Sequence, residues 1–573
     1  MCGIAGYLDK SGAFDKETLL FFIDAQQHRG PDAQDFYLDA GIGLAHNRLS
    51  ILDTSAKANQ PFHSADGRYV MTYNGEVYNY KDLLPQQALR TNSDTEVILE
   101  LFAKDGKKCV EKFRGMFALA IYDKEKKSLC LMRDRLGIKP LYYYHDQETF
   151  VFSSELQAIA QLPQLKNKLQ IDQEAIGHYL HLGFVPSSAT LFKEIKKFPS
   201  GNVAEIDMQG NLKMWEYWRP EHFIGENDMA YPEAKRKIKD LLYQSVEEHL
   251  TSDVPVGLFL SGGIDSSLLT AIAHQLKPGK IKTFSIGFEN SPYDEAPFAK
   301  KIAEHIGTTH YESYLTDKKI IELAENVSAT YTEPFADTSS IPTMYISEMA
   351  AQHVKVVLSG EGADELFLGY GSHLWADRLG NPFCKMASPF FGLLSALTKS
   401  AKLVKAHQMF SKSGTPYQAS NVYSIEHGFF SAEEVKKYSQ NAAYKGFAFP
   451  KQANSLTEQF LFEIEVGLKD GLLVKMDRAT MRYGIEGRVP YLDHRLVEFA
   501  LSINTCKKFN AGLGKGILKD ILFELVPAKF FNRKKWGFGI AQNPQLEQYL
   551  KKNSQLNAPK GTSLSKLFCL FGL

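Results

Sequence analysis

No run of apolar residues in this chain approaches the ~18–20 needed to cross a bilayer as a helix. The longest candidate, MASPFFGLLSAL at Met386 to Leu397, is too short and contains Pro389, so it predicts a buried helix and no membrane span. Net charge is absent too: 66 Lys and Arg are balanced by 66 Asp and Glu. That argues against a nucleic-acid binder, whose footprint is a basic excess, although local clusters of charge stay possible. Cysteine is scarce, with Cys2, Cys109, Cys130, Cys384, Cys506 and Cys569 the whole set. No two of them form a CxxC pair, which removes zinc-ribbon and thioredoxin-like readings. So few thiols in so long a chain fit a reducing, cytoplasmic setting. The start has no basic n-region, apolar core and small-residue cleavage site in sequence, so no signal peptide is expected. There is no internal repeat, no low-complexity segment, and no Walker GxxxxGK[ST] loop.

What is present is enough chain for more than one core: 573 residues, 44% hydrophobic and 23% charged. Roughly the first 200 residues read as short β segments with turn signals, among them GIGLAHNRLSIL, RYVMTYNGEVY and MFALAIYD. A few helical stretches, such as 93–104, lie between them. This predicts an α+β domain over 1–205. Charged and aromatic loop-like text follows and predicts a linker over 206–232. The rhythm then becomes strand, loop, helix: PVGLFL before SGGIDSSLLTAIAHQL, IKTFSIGF before DEAPFAKKIAEHIG, KVVLSG before EGADELFLGY. Apolar strands alternating with helices predict an α/β domain on a doubly wound parallel sheet, over 233–545, with additional helices from about 373. A C-terminal tail is expected over 546–573.

Cys2 stands directly behind Met1. Taken alone it reads as a chance cysteine at a frayed terminus. If Met1 is removed, one residue carries a thiol and a free α-amine, with ordinary pKa values of ~8.5 and ~8. The amine can then take the thiol proton and leave a nucleophilic thiolate.

LFLSGGIDSS sits where a βα turn binds phosphate. Ser261, Gly262 and Gly263 can turn tightly and aim backbone N–H groups at an anion, and Ser266 and Ser267 open the following helix. Without a Walker lysine, the loop supplies Asp265, a carboxylate that suits phosphates when Mg²⁺ bridges them. VVLSGEGADELFLGY is a second strand ending in Ser-Gly, followed by Glu361, Asp364 and Glu365. Ligands of doubly wound sheets bind beyond the carboxyl ends of the strands, so both loops should face one crevice. Asp265 and Asp364 become candidate Mg²⁺ ligands, and Glu361 a candidate general base or orienter. A solvated acidic helix start explains Glu361, Asp364 and Glu365 equally.

These loops match the PP-loop pyrophosphatases, and the match extends along the chain. MCGIAG, HRGPD, AHNRLSILD, YNGEVYNY, SDTEVIL, RDRLGIKPLYY, SSELQAI, LFLSGGIDSS, VVLSGEGADELFLGY and EGRVPYLD occur in the order seen in glutamine-hydrolysing asparagine synthetases. The chain resembles that family from Cys2 to about Phe538. The resemblance implies an N-terminal class II glutaminase with an Ntn-type αββα sandwich and a C-terminal PP-loop synthetase domain. Cys2 would be the nucleophile. The Asn74 side-chain amide and the Gly75 backbone N–H would form the oxyanion hole, although Asn-Gly is also a natural hairpin turn. Arg48 would hold the glutamine α-carboxylate bidentately, and Glu76 and Asp94 its α-ammonium. Backbone groups at Leu260 and Ile286 would frame the adenosine, and Ser359 and Gly360 would contact the nucleotide. Lys535, in NRKKWGFGI, matches a lysine that neutralises charge as pyrophosphate leaves, with Lys534 adjacent. Glu486, Arg488 and Asp493 in EGRVPYLD read as architectural.

The resemblance implies two half-reactions. Glutamine is hydrolysed at Cys2 through a thioester, releasing ammonia. A carboxylate attacks the α-phosphorus of ATP, and ammonia then displaces AMP from the acyl-adenylate. A protected interdomain channel for ammonia, lined largely by apolar and small polar groups, is expected. ATP as substrate, Mg²⁺, glutamine and aspartate are the implied small molecules. A homodimer is possible, and neither nucleic acid nor membrane is an expected partner. The competing acceptor is another carboxylate, such as a sugar uronic acid, because the shared motifs handle ATP and architecture. The segment Glu333 to Thr343 is the candidate acceptor pocket.

Overall fold

The computed structural model describes the chain apart from residues 1, 84–88, 226, 290–293, 382–385, 387, 399–400, 440, 504–513, 533–538, 541–542, 555–561 and 573. The N-terminal half is two stacked six-stranded sheets. One runs in the order Ile195–Lys197, Tyr142–His145, Thr149–Ser153, Gly3–Asp9, Ile42–Arg48, Ala33–Asp39. The other runs Leu212–Glu216, Asn202–Asp207, Ser128–Arg133, Gly115–Asp123, Tyr69–Val77, Phe62–His63.

The strand Gly115–Asp123, sequence GMFALAIYD, shows why its text is almost wholly apolar. Ala118, Ala120 and Tyr122 point into the layer between the sheets, beside Ile4, Leu44 and Phe152. Phe117, Leu119 and Ile121 point the other way, under the helix Asp94–Asp105. Alternate side chains of a strand take opposite faces, and here both faces are covered. The helix Lys16–Ala25 covers the outer face of the first sheet through Leu19 and Phe22. Asp15 starts that helix in a reciprocal capping box with Thr18. The layers are therefore αββα, as the resemblance implied.

The C-terminal half is built on five parallel strands in the order Thr309–Leu315, Lys282–Phe288, Val256–Phe259, Val356–Leu358, Glu486–Arg488. From Val256–Phe259 the chain steps outward twice, then returns past its first strand to Val356–Leu358. The topological switch point lies between Val256–Phe259 and Val356–Leu358. Those are the two strands whose carboxyl ends carry SGGIDSS and SGEGADE.

Three features differ from the sequence expectation. The expected linker begins inside the second sheet, where Asn202–Asp207 pairs with Leu212–Glu216, and it ends at the helix Tyr231–His249. The expected tail is docked. Its helices Pro544–Asn553 and Leu564–Phe571 bury Leu546, Leu550, Leu567 and Phe568, and the Tyr179 hydroxyl donates to Phe568 O at 3.5 Å. Amphipathic spacing of those leucines carries this, with no motif to announce it. The apolar stretch around Pro389 forms the helix Ser388–Thr398, yet it is not buried: Phe390, Leu393 and Leu397 are 59%, 60% and 73% exposed.

Candidate active sites

Cys2 leads into the strand Gly3–Asp9 and is buried. Its backbone nitrogen donates to Asn74 Oδ1 at 2.9 Å. That bond fixes the amide so that Asn74 Nδ2 is buried and makes no hydrogen bond within the protein. A buried N–H without a partner is costly, which marks it as a donor kept for something that arrives. Burial pushes the Cys2 thiol up, while the Leu49 backbone N–H and the Arg48 charge work against that rise.

Asn74 and Gly75 are not in a hairpin turn. They lie within the strand Tyr69–Val77, opposite Ala118 and Phe117. The flanking N–H groups of Tyr73 and Val77 donate off the sheet, to Gln60 Oε1 at 2.7 Å and Asp94 Oδ2 at 2.9 Å. Strand alternation turns the Gly75 N–H to that same side. Gly75 has φ +154°, and a Cβ there would stand 2.1 Å from Met116 O. Only glycine fits so close a strand approach.

Asp94 is the first residue of its helix and accepts from Tyr73 Oη at 2.7 Å. Burial raises the Asp94 carboxyl, and burial together with the Asp94 charge raises Glu76 well above the carboxylate range. Two buried acids side by side want a cation. Arg488, from the other half of the chain, supplies part of it, with Nη2 3.4 Å from Glu76 Oε1. The EGRVPYLD arginine is thus architectural in part, donating to His249 O and Thr251 O, and in part a neighbour of this site. Arg48 differs from expectation. Its terminal nitrogens donate to Ser55 O at 2.8 Å, Asn59 Oδ1 at 2.7 Å, Leu52 O at 3.3 Å and Asp53 O. The bidentate face expected for a carboxylate is therefore occupied by the 52–59 loop.

Sequence reasoning missed Arg29. It is wholly buried, donates from Nε to Cys2 O at 3.2 Å, and pairs through Nη1 with Glu155 at 2.8 Å and Asp477 at 2.9 Å. Burial favours the neutral acid, but Arg29 holds Asp477 below its ordinary range. Asp477 belongs to the helix Leu473–Met481 of the other half, whose Arg478 also pairs with Glu155. The ground directly behind Cys2 is therefore a buried ion network. The HRGPD motif was the available signal.

At the switch point, Leu260 N donates to Phe284 O at 2.8 Å, and the Leu260 and Ile286 side chains are buried. Gly262, at φ +72°, passes Ala299 so closely that a Cβ would meet its nitrogen at 2.9 Å. Gly263 caps the helix Ile264–Leu276, and Ser261 Oγ bonds Ser266 Oγ at 3.1 Å. Ser359 N donates to Arg488 O at 2.9 Å, and a Cβ on Gly360 would touch Asp265 Cβ at 3.1 Å. The two loops therefore share one crevice, as their places at the carboxyl ends of parallel strands predicted.

Lys515 Nζ stands 2.6 Å from both Asp265 Oδ2 and Asp364 Oδ1. Burial would lower this lysine, but the two carboxylates raise it further. Glu361 pairs instead with Lys475 at 3.2 Å, and Lys475 also lies 3.8 Å from Asp337. Lys534 and Lys535 lie outside the described residues, so the expected lysine is not placed. Among the described residues no group of three or more His, Cys, Asp and Glu gathers as a metal centre.

Beside this crevice is a cavity of ≈160 Å³ lined by Asp337, Thr338, Glu365, Tyr370, Tyr423, His427 and Glu463, with Gly467 and Gly471. The last three come from a π-helical segment, Glu463–Leu472, a widening often found at functional sites. Burial, then the charge on Asp364, pushes Glu365 up to about 8. Glu333, at the start of the expected acceptor segment, faces elsewhere: it accepts from Leu191 N at 3.2 Å and from Tyr142 Oη at 3.4 Å.

Two family models match the chain: a glutamine amidotransferase domain over residues 1–218, and asparagine synthase over 237–561. A Methanocaldococcus jannaschii relative, provisionally named a glutamine-hydrolysing asparagine synthetase, is 35% identical over 84% of this chain and 98% of its own. The Bacillus subtilis protein named asparagine synthetase [glutamine-hydrolyzing] 1 is 31% identical over 94% of this chain and 87% of its own. Asparagine synthetase B [glutamine-hydrolyzing] of Escherichia coli is 32% identical over 65% of each.

Proposed function

The chain belongs to the asparagine synthase family, and from that premise we propose that it amidates L-aspartate to L-asparagine, with glutamine as nitrogen donor and ATP cleaved to AMP and pyrophosphate. At the coarser level it is a glutamine-dependent, ATP-consuming amidotransferase, a carbon–nitrogen ligase. The observation that carries the reading is the placement of Cys2 against Asn74, with the Asn74 Nδ2 donor buried and unspent.

With Met1 removed, the Cys2 nitrogen is an α-amine. It takes the thiol proton, and the sulfur attacks the side-chain amide carbon of glutamine. Burial raises the thiol, so the thiolate forms by this local transfer and not by ionisation in advance. Asn74 Nδ2 and the Gly75 N–H receive the oxyanion. The intermediate expels ammonia and leaves a thioester, which water hydrolyses to glutamate. Glu76 and Asp94 take the α-ammonium, whose arrival offsets the cost of ionising two buried acids. Arg48 acts on the α-carboxylate through its charge and through the loop it holds.

In the crevice, backbone groups of Leu260, Ile286, Ser359 and Gly360 frame the nucleotide, and Ser261, Gly262, Gly263 and Ser266 surround its phosphates. The acceptor carboxylate attacks the α-phosphorus, pyrophosphate leaves, and ammonia then attacks the acyl carbon and displaces AMP. We assign a cation on the leaving pyrophosphate to Lys515, beside the role expected of Lys535. Glu361, braced by Lys475, orients the attacking groups. The Asp265 and Asp364 oxygens converge on one ammonium within 2.6 Å each, which suits a hard cation shared with phosphate oxygens. Mg²⁺ held by these two residues would offset charge on the pyrophosphate.

The test is an incubation with glutamine, ATP, Mg²⁺ and aspartate, with asparagine, AMP and pyrophosphate measured together. Equal amounts of asparagine and AMP are expected. ADP as product, or no aspartate-dependent AMP, overturns the reading.

A further inference from the structure

We propose that the helices Ser388–Thr398 and Ala401–Phe410 form a docking surface for an anionic lipid bilayer. Two independent observations carry this. The first is apolar exposure. Phe390, Leu393 and Leu397 are spaced 3 and 4 residues apart, so they form one stripe along their helix. They are 59%, 60% and 73% exposed, and Met386, just before the helix, is 80% exposed. The opposite face is accounted for, because Phe391 packs on Phe410 with ring centroids 5.8 Å apart. Val404 on the second helix is exposed as well. Scattered surface leucines need no explanation, but a contiguous stripe does.

The second observation is charge. From Arg378 to Ile425 the sequence contains no Asp or Glu, whereas Arg378, Lys385, Lys399, Lys402, Lys405 and Lys412 all fall within it. This occurs in a chain whose total charge balances. Lys405 and Lys412 are paired with Glu426 and Glu433, at 2.8 and 3.8 Å. Lys402, on the second helix, is exposed. Lysines in the sequence on both sides of an apolar stripe are the pattern of a helix that lies in the headgroup region with its apolar face down.

Charge selects among the occupants. A two-fold contact with a second copy would bring the same acid-free, basic segment against itself. A nucleic acid would meet the lysines but leave the apolar stripe uncovered. A bilayer rich in anionic lipid satisfies both. The contact is peripheral, since no helix among the described residues is long and apolar enough to cross a membrane.

The experiment is co-sedimentation of the full chain with vesicles of phosphatidylcholine alone, and with vesicles of phosphatidylcholine and phosphatidylglycerol in equal parts. Binding is expected to be ~10-fold greater on the mixed vesicles and to fall steeply in ~1 M salt. The double variant Leu393→Asp/Leu397→Asp should drop to the phosphatidylcholine level, and Lys402→Glu should weaken binding partway. Both should keep ammonia-dependent AMP formation, which also shows that they fold. Equal binding to the two vesicle types, or unchanged binding by the double variant, overturns the proposal. A concentration-dependent dimer that the double variant abolishes, with no vesicle binding, assigns the face to a second copy instead.

Discussion

Lys515 and Asp265, 250 positions apart, meet at 2.6 Å, with Asp364 completing the triad from the second loop. A lysine lodged between two carboxylates at the switch point of a parallel sheet is placed to follow phosphate charge as it develops. Lys515→Met should lower aspartate-dependent pyrophosphate release by ~10²–10³-fold or more, the scale of a lost transition-state donor. Glutamine hydrolysis should persist. Removing one member of a buried ion cluster costs ~3–5 kcal/mol, so persisting glutaminase activity also shows that the variant is folded. A Lys535→Ala variant with the larger defect would return the role to the 533–538 segment.

Asn74 offers a sharper contrast. Its Oδ1 holds the Cys2 nitrogen and its Nδ2 is unspent. Asn74→Ala should lower kcat for glutamine hydrolysis by ~10²–10³-fold, while Cys2→Ala should abolish it. In both variants ammonia-dependent amidation should continue, because the second crevice has its own chemistry. Loss of amidation with free ammonia in either folded variant would mean that the two sites do not divide the reaction as proposed.

Glu365 gives a pH dependence. Burial and the Asp364 charge raise its carboxyl from an ordinary value of 4.5 to about 8. The folded protein therefore holds a proton that the unfolded chain gives up at lower pH. The stability tied to that proton is fully present below pH 4.5 and is lost as pH rises through 8. Within that window the slope is at most ~1.4 kcal/mol per pH unit. Melting temperatures of wild type and Glu365→Gln, measured from pH 5 to pH 9, should diverge, with the variant gaining on wild type toward the alkaline end. Parallel curves would place the Glu365 titration elsewhere.

Much of both crevices was legible because the residues that carry them are local in sequence. SGGIDSS and SGEGADE each end an apolar strand, and the parallel-sheet rule brings the two together without further information. Lys515 was not legible. Its helix start, GLGKGIL, has no phosphate-loop pattern, and only the fold carries it across to Asp265. Arg48 illustrates the opposite failure, a correct neighbourhood with its donors already spent on loop carbonyls. Asn74-Gly75 read equally well as a hairpin turn, because turn propensity is local and the pairing of Gly75 with Phe117 is not. The stretch around Pro389 looked buried because composition reports hydrophobicity and is silent about what lies opposite.

The acceptor is the question on which the cavity bears most. Its described lining offers three carboxyl side chains, Asp337, Glu365 and Glu463, together with Thr338, Tyr370, Tyr423 and His427. Carboxylates suit an α-ammonium, which aspartate has and a simple uronic acid lacks. Asp337 is the best placed of the three, since Lys475, the cation that braces Glu361, lies 3.8 Å from it and so links it to the reacting end. The aspartate α-carboxylate needs a cation from outside this lining. Asp337→Asn should therefore raise KM for aspartate by ~10–100-fold, the cost of one charge-assisted hydrogen bond, with a smaller effect on KM for ATP. Succinate, which keeps both carboxylates and lacks the amine, should support little AMP formation in wild type. If a uronic acid drives AMP formation with the higher kcat/KM, and Asp337→Asn leaves that ratio unchanged, the tyrosines and His427 are reading hydroxyls. The chain would then amidate a sugar acid by the same chemistry.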